Sequence, residues 1–374
     1  MNICLFLPSF LPEVGGLEKS ADKLALTLSS LDHKVLVFTQ RPRKVLGVME
    51  RPYPIIYYKR PRSTTWFPFA VCYALEQLHR EFDFDLICAY QAYLPGYIAV
   101  RFGRKHNIPV VISSRGGDIS ERSRYLKRWI SRKRIMWALR HADAVTTLNK
   151  HLAQRAKILT DNSVNAHVIH NGVEIIEGNP FRDAAPADFA HLQKRTFVLT
   201  LGRLRRFKGL DLLLNAIKLL KDQNKAVPLL VIAGDGPEKN NLIEQVDENN
   251  ISNCVEFAGE VEGSKKAWLL ANCTFFVQPS RGGEGMPNSV LEAMSYSKPV
   301  LGTTVGGLLE IVTNGENGLL VKPDSPSSLA EGLEKMLRVD QAAYAQNAKR
   351  IALEHSWDNI TKCYLDLYHS LLRL

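Results

Sequence analysis

Apolar residues in this chain gather in short runs separated by longer stretches in which they recur at helical spacing. Runs at 2–7, 34–38, 54–58, 85–89, 109–113, 143–147 and 166–170 read as strands. Helical patterns fall between them, near 17–31, 66–80, 94–106, 122–140 and 149–159. The second half repeats the alternation, with strands near 196–201, 228–233, 255–258, 274–278, 299–302 and 319–321, each separated by a helix-length segment. Strand and helix in strict alternation is the order of a doubly wound α/β protein, and two such series predict two Rossmann-like domains. Residues 1–172 form the first and 195–356 the second. Between them 173–194, with Gly178, Pro180 and Pro186, has the composition of a linker. Substrates are expected in a cleft between the domains.

Two segments of the second half carry chemistry. The strand Thr196–Leu201 delivers Gly202-Arg203-Leu204-Arg205-Arg206-Phe207-Lys208-Gly209 at its carboxyl end, where open α/β sheets bind ligands. Arg203 offers a rigid fork of donors and Lys208 a compact positive charge, a pair suited to holding a diphosphate while negative charge develops on it. Further on, Gly282-Gly283-Glu284-Gly285-Met286-Pro287-Asn288-Ser289 runs into a helix, with Pro287 suited to the first helical position. A helix start with amides pointing outward favours an anion. Glu284 in the loop and Glu292 inside the helix flank that terminus and suit hydroxyl groups. Sugar hydroxyls, phosphates and a ribose together describe a sugar nucleotide.

With these residues the chain resembles the retaining glycosyltransferases of family 4, and the likeness covers most of its length. Besides the acids eight positions apart and the Gly-Arg-Leu…Lys-Gly loop, it extends to Ala233-Gly234-Asp235-Gly236-Pro237, His170-Asn171-Gly172-Val173, Gly306-Gly307…Glu310 and Ser356-Trp357. The resemblance implies a GT-B fold, two Rossmann-like domains facing a central cleft, with a terminal helix at 357–374 returning to the first. It implies that Glu284 holds the donor sugar, Glu292 the ribose, and Arg203 with Lys208 the diphosphate. The backbone of Gly285, Met286, Asn288 and Ser289 would complete the cradle, with Gly202 and Gly234 beside it and base contacts near Val261. Retention of anomeric configuration would follow from attack on the same face of the sugar, the departing phosphate oxygen taking the acceptor's proton.

Composition narrows the reading. The chain's 374 residues, 45% hydrophobic, can fill two cores. No apolar run approaches the roughly 20 residues of a transmembrane helix, and residues 1–8 read as a first strand rather than a signal peptide. Cys4, Cys72, Cys88, Cys254, Cys273 and Cys363 are scattered without metal-ligand spacing, which fits a reducing cytoplasm. No metal and no cofactor is expected. Asp83-Phe84-Asp85 looks like a metal-binding pair of acids, but it precedes its strand and so lies at the wrong end of a parallel sheet.

In the first half, Gly15 and Gly16 between the first strand and its helix let backbone approach a ligand. The G-x-G-x-x-G fingerprint is missing, and Gln40 stands where a dinucleotide fold would place an acid, which argues against a nicotinamide dehydrogenase. In enzymes similar to this one the glycine loop faces the diphosphate and acceptor. Where many relatives carry a histidine after the fifth strand, this chain has Arg115 in Ser113-Ser114-Arg115-Gly116-Gly117-Asp118. Arg115 cannot act as a base. Asp118 is expected either to orient the acceptor or to pair with Arg115. His170 reads as part of a turn.

Arg122–Arg140 holds eight cations and no acid, with Leu126, Trp129, Ile130, Met136 and Trp137 at helical spacing, a basic amphipathic helix. With a formal net charge of +10 it suggests anionic lipid headgroups or an acidic acceptor. No nucleic-acid-binding pattern accompanies the charge. The expected activity is transfer of a hexose-type sugar from a nucleotide donor, UDP before GDP, to a glycan or lipid-linked acceptor at the inner face of the membrane. A sugar-nucleotide epimerase of the same fold, a phosphorylase and a non-catalytic sugar-nucleotide binder are the alternatives.

Overall fold

The computed structural model describes residues 1–12, 15–42, 50–59, 67–178, 181, 185–282 and 285–372. The chain divides into two compact units, Met1–Gly172 with Trp357–Leu374, and Val173–Ser356.

The first unit is built on seven parallel strands: β1 (Asn2–Leu7), β2 (Lys34–Gln40), β3 (Ile55–Tyr58), β4 (Leu86–Tyr90), β5 (Val110–Ser114), β6 (Ala144–Thr147) and β7 (His167–Val168), in the order β3-β2-β1-β4-β5-β6-β7. Its helices are α1 (Gly16–Ser30), α2 (Phe67–Phe82), α3 (Tyr97–His106), α4 (Trp129–His141) and α5 (Lys150–Leu159). β1 and β4 are buried along most of their length because helices cover both faces of a doubly wound sheet. The core joins them to Leu24, Ala25 and Leu28 of α1 and to Ile360, Tyr364, Leu367 and Tyr368 of the terminal helix Trp357–Leu372. The last helix is thus part of the first core, although the whole second unit separates the two in sequence.

The second unit has six parallel strands, β8 (Phe197–Leu201), β9 (Leu229–Ala233), β10 (Val255–Gly259), β11 (Phe276–Gln278), β12 (Val300–Thr303) and β13 (Gly318–Val321), ordered β10-β9-β8-β11-β12-β13. They alternate with α6 (Leu210–Asp222), α7 (Lys239–Glu248), α8 (Gly263–Asn272), α9 (Asn288–Ser295), α10 (Leu308–Ile311), α11 (Pro326–Met336) and α12 (Gln341–Glu354), and the terminal helix is α13. Leucines of α6 and α11 meet Leu230, Ile232, Val277 and Leu301 of the strands in a second core.

Two regions differ from the sequence reading. Described residues of the stretch 173–194 are held within the second unit, since Val173 pairs with Ser356 and a 3-10 turn at Ala187–Leu192 buries Phe189 and Leu192. Phe189 stacks on Trp268 at 6.0 Å, which ties that turn to α8 of the second unit. The basic helix begins at Trp129, not Arg122. Its buried face is Ser131, Ile135, Ala138 and Leu139, while Trp129 and Ile130 are 69% and 57% exposed.

Candidate functional site

The strand order of the second sheet reverses between β8 and β11, so the loops leaving their carboxyl ends lie together at the position where open α/β sheets take ligands. Gly202, Arg203 and Lys208 line one small cavity with Thr200, Ala233 and Gln278. Arg203 is exposed and Lys208 half-buried, its ammonium 5.6 Å from the centre of the Phe207 ring. The cavity wall requires close backbone packing. Gly234 has φ +140°, and a β-carbon there would stand 2.0 Å from the Gly202 carbonyl oxygen. Only glycine fits that contact.

The loop after β11 is tied to the first loop by backbone and side chain. The Arg281 amide donates to the Phe207 carbonyl at 2.9 Å, and its guanidinium spans Asp324, at 2.5 Å, and Asp211. Gln278, in the cavity wall, accepts from the Ser289 hydroxyl at 3.4 Å and so joins the cavity to α9. Neither Arg281 nor Gln278 stood out in the sequence, because each is recognisable only from its partners across the fold.

Glu284 lies outside the described residues. Gly285 and buried Met286 lead to α9, whose cap is Pro287 in extended conformation, so the helix starts at Asn288, one residue later than the sequence suggested. α9 carries no side-chain cap. Ser289 is buried in its first turn. A β-carbon on Gly307 would come within 2.2 Å of the Gly285 carbonyl oxygen, which accounts for the second glycine of Gly306-Gly307. Glu292, one turn into α9, is half-buried and meets Lys266 of α8 at 2.7 Å. Val261 is buried just beyond β10, and the Gly234 amide donates to the Gly259 carbonyl at 2.6 Å.

The first unit treats its candidate residues differently. Gly15 caps α1 and Gly16 begins it, but Glu18 already places a carboxylate in the first turn, where it accepts from the Ser9 hydroxyl at 2.5 Å. Arg115 does not pair with Asp118. Its guanidinium donates to Asn171 Oδ1 at 2.5 Å and to the Tyr364 hydroxyl at 3.3 Å, and it lies 4.7 Å over the Tyr90 ring. Asp118 is wholly buried, accepting from the Ala92 amide at 2.5 Å and the Ser114 hydroxyl at 2.7 Å. Burial pushes its carboxyl above the usual range, against the pull of those donors. Both residues hold the fold of the first unit, and the acceptor-orienting role expected of Asp118 has no open side chain to serve it. Asp85 likewise caps a strand edge, accepting from the Asn2 amide at 2.7 Å. Among the described residues no three His, Cys, Asp or Glu side chains gather as a metal site, and no helix is long and apolar enough to cross a membrane.

The chain resembles known proteins along most of its length. Residues 14–176 match the model of Glycosyltransferase Family 4, and residues 181–351 that of Glycosyl transferases group 1. An uncharacterised glycosyltransferase of Methanocaldococcus jannaschii is 26% identical over 374 residues, 98% of either chain. Among solved structures, the HepE protein of Anabaena in complex with UDP superposes with a TM-score of 0.79 at 20% identity, covering 99% of this chain and 100% of the other. Sucrose-phosphate synthase of Thermosynechococcus elongatus gives 0.80 at 21% identity, with 99% of each chain covered.

Proposed function

Because this chain belongs to the family 4, group 1 glycosyltransferases and has their GT-B fold, we propose that it transfers a hexose-type sugar from a nucleotide donor, UDP-linked before GDP-linked, to a glycan or lipid-linked acceptor in surface polysaccharide or glycolipid synthesis. The observation that carries this reading is the meeting of Gly202, Arg203 and Lys208 at the point where the second sheet changes direction, with α9 opening beside them. A diphosphate suits that position, since two cations and a helix start offer it charge and donors together. The solved complexes of HepE with UDP and with UDP-glucose support a uridine donor.

In this mechanism the acceptor hydroxyl attacks the anomeric carbon on the face from which the diphosphate leaves. The bond between that carbon and the phosphate oxygen breaks, and the electron pair goes to the leaving group. Arg203 and Lys208 stabilise the charge that develops there. The freed phosphate oxygen takes the acceptor's proton, so no protein nucleophile and no metal is needed. Glu292 holds the ribose, and Glu284 the donor sugar. The enzyme works on the cytoplasmic side of a membrane, touching it peripherally.

A thermal-shift panel of UDP-, GDP-, ADP- and dTDP-sugars tests the donor, because a ligand of the folded state raises its melting temperature. UDP-glucose is expected to give the largest shift. Slow release of UDP without acceptor, unchanged by EDTA, is the expected catalytic signature. Activity abolished by EDTA and restored by manganese would overturn the metal-free mechanism, and a product of inverted configuration would overturn the same-face course.

A further inference from the structure

The outer layer of the first unit holds a second cavity, of about 380 Å³, between α2, α3 and α4. It shares no lining residue with the cavity of Arg203 and Lys208, and nothing in the transfer reaction uses it. Arg101 and Lys105 of α3 and Arg134 of α4 supply its charge, and Phe69 and Tyr73 of α2 its apolar wall. Glu76 is the one acid in the lining, and it is already engaged by Lys105 and by His106 at 3.4 Å. The two arginines face aromatic surface instead. Arg101 and Arg134 lie 5.7 and 5.2 Å from the centre of the Tyr97 ring, and Arg101 also donates to the Tyr97 hydroxyl at 3.1 Å. Two guanidiniums thus converge on one ring, while the one carboxylate of the lining, Glu76, is held by Lys105 and His106.

Large apolar side chains surround that charge on the surface. Phe69 is 61% and Tyr73 65% exposed. On α4, Ile130 precedes Arg134 by one turn and shares its face. Trp129, beside Ile130, carries Lys133 over its ring at 4.0 Å. Cations interleaved with exposed rings suit a boundary where one end of a ligand is charged and the other apolar. A soluble anion would use the arginines and leave the rings in water.

We propose that this cavity binds the phosphate of an anionic phospholipid between Arg101 and Arg134, with Phe69, Tyr73, Trp129 and Ile130 entering the headgroup region. The site moves the membrane contact from the cation run itself to a built pocket formed by three helices, and it includes α2 and α3 residues that sequence charge alone does not mark. It rests on the peripheral membrane contact proposed above and gives that contact its residues, while lipid binding itself needs neither donor nor acceptor.

Co-sedimentation with vesicles of phosphatidylcholine, with and without phosphatidylglycerol, tests it on the full chain. The protein should pellet with the anionic vesicles at low salt and stay in solution with the neutral ones. Arg101→Ala with Arg134→Ala should weaken that binding by about thirtyfold, at roughly fivefold for each cation near a charged surface. Phe69→Ser with Trp129→Ser should remove the part of the binding that survives high salt. Melting temperatures of both variants near that of the wild type establish that they are folded; if the arginine pair melts low, Arg101→Lys with Arg134→Lys should retain binding. Loss of two cations that belong to the second unit and do not line the cavity, Lys218→Ala with Lys221→Ala, should have little effect. The proposal fails if the wild type ignores anionic vesicles, if that control pair matters as much as the arginines, or if glycerol 1-phosphate displaces the protein completely, which would make the site one for a soluble phosphate.

Discussion

The two units place their charged side chains in opposite circumstances. In the second, Arg203 stands exposed and Lys208 half-buried at the end of a strand, beside backbone packed so closely that glycine is obligatory at 234. In the first, Arg115 and Asp118 follow a strand of the same kind, yet both are tied to the interior by bonds to Asn171, Tyr364, Ala92 and Ser114. The loop after β8 lies at the reversal of its sheet, whereas the loop after β5 lies one strand beyond the reversal between β1 and β4. A charge at the reversal can stay exposed, as Arg203 does. A charge beside it has to be satisfied by protein, because the neighbouring elements close over it.

The largest test of this contrast is functional. Arg203→Ala or Lys208→Ala should lower turnover about a hundred- to a thousandfold, the usual cost of losing one donor to a developing charge. Stability should move by no more than about 0.5 kcal/mol, as at other surface positions. Kinetics and a denaturant titration on the same variants measure both. A large loss of stability with little loss of turnover would reverse the assignment of roles.

Asp118→Ala should do the opposite. It strands the Ala92 amide and the Ser114 hydroxyl in a buried place and should cost about 2–3 kcal/mol of stability. Chemical denaturation reads that directly, and an unchanged midpoint would show that the site relaxes or fills with water.

A smaller effect follows from pH. The Asp118 carboxyl is raised in the folded protein, so the folded state binds its proton more tightly than the unfolded chain does. The stabilising contribution is therefore full below the ordinary value of 3.8 and is lost as the pH rises through the raised one. Asp118→Asn removes this titration. The difference in melting temperature between wild type and variant should shift against the wild type as pH increases over that window, and parallel curves would count against the buried carboxyl.

The smallest expected change concerns Lys266, which occupies the Glu292 carboxylate at 2.7 Å. If ribose takes that carboxylate, Lys266→Met should tighten UDP binding by up to about fivefold, the value of a partly exposed ion pair. Calorimetry resolves such a difference. Weaker binding would mean that Lys266 meets the nucleotide itself.

Much of the architecture was legible in the sequence because strands buried on both faces are written as unbroken apolar runs. Thr196–Leu201 and Phe197–Leu201 differ by one residue. The glycines at 234 and 307 were legible for a related reason, since backbone contact leaves no other choice of residue, while Gly202 answers to its φ of +148°. What escaped depends on partners distant in sequence. Arg115 meets Tyr364 across 249 positions, and nothing near Ser113-Ser114-Arg115 announces a tyrosine from the last helix. The start of α4 was misjudged for a different reason. Large residues at 126, 129 and 130 continue the helical spacing back toward Arg122, while the helix begins at Trp129 and buries Ser131, Ile135, Ala138 and Leu139.

One feature of the first unit bears on how the protein is made. Ile360, Tyr364, Leu367 and Tyr368 fill the core around β1 and β4, so a ribosome that has released residues 1–172 has not yet supplied the material to finish that core. The second unit, contiguous from Val173 to Ser356, is synthesised whole while the first still waits. Nascent chains halted before Trp357 should accordingly show a protease-resistant second unit and a sensitive first one, and resistance of both at that stage would mean that α13 only reinforces a structure already closed.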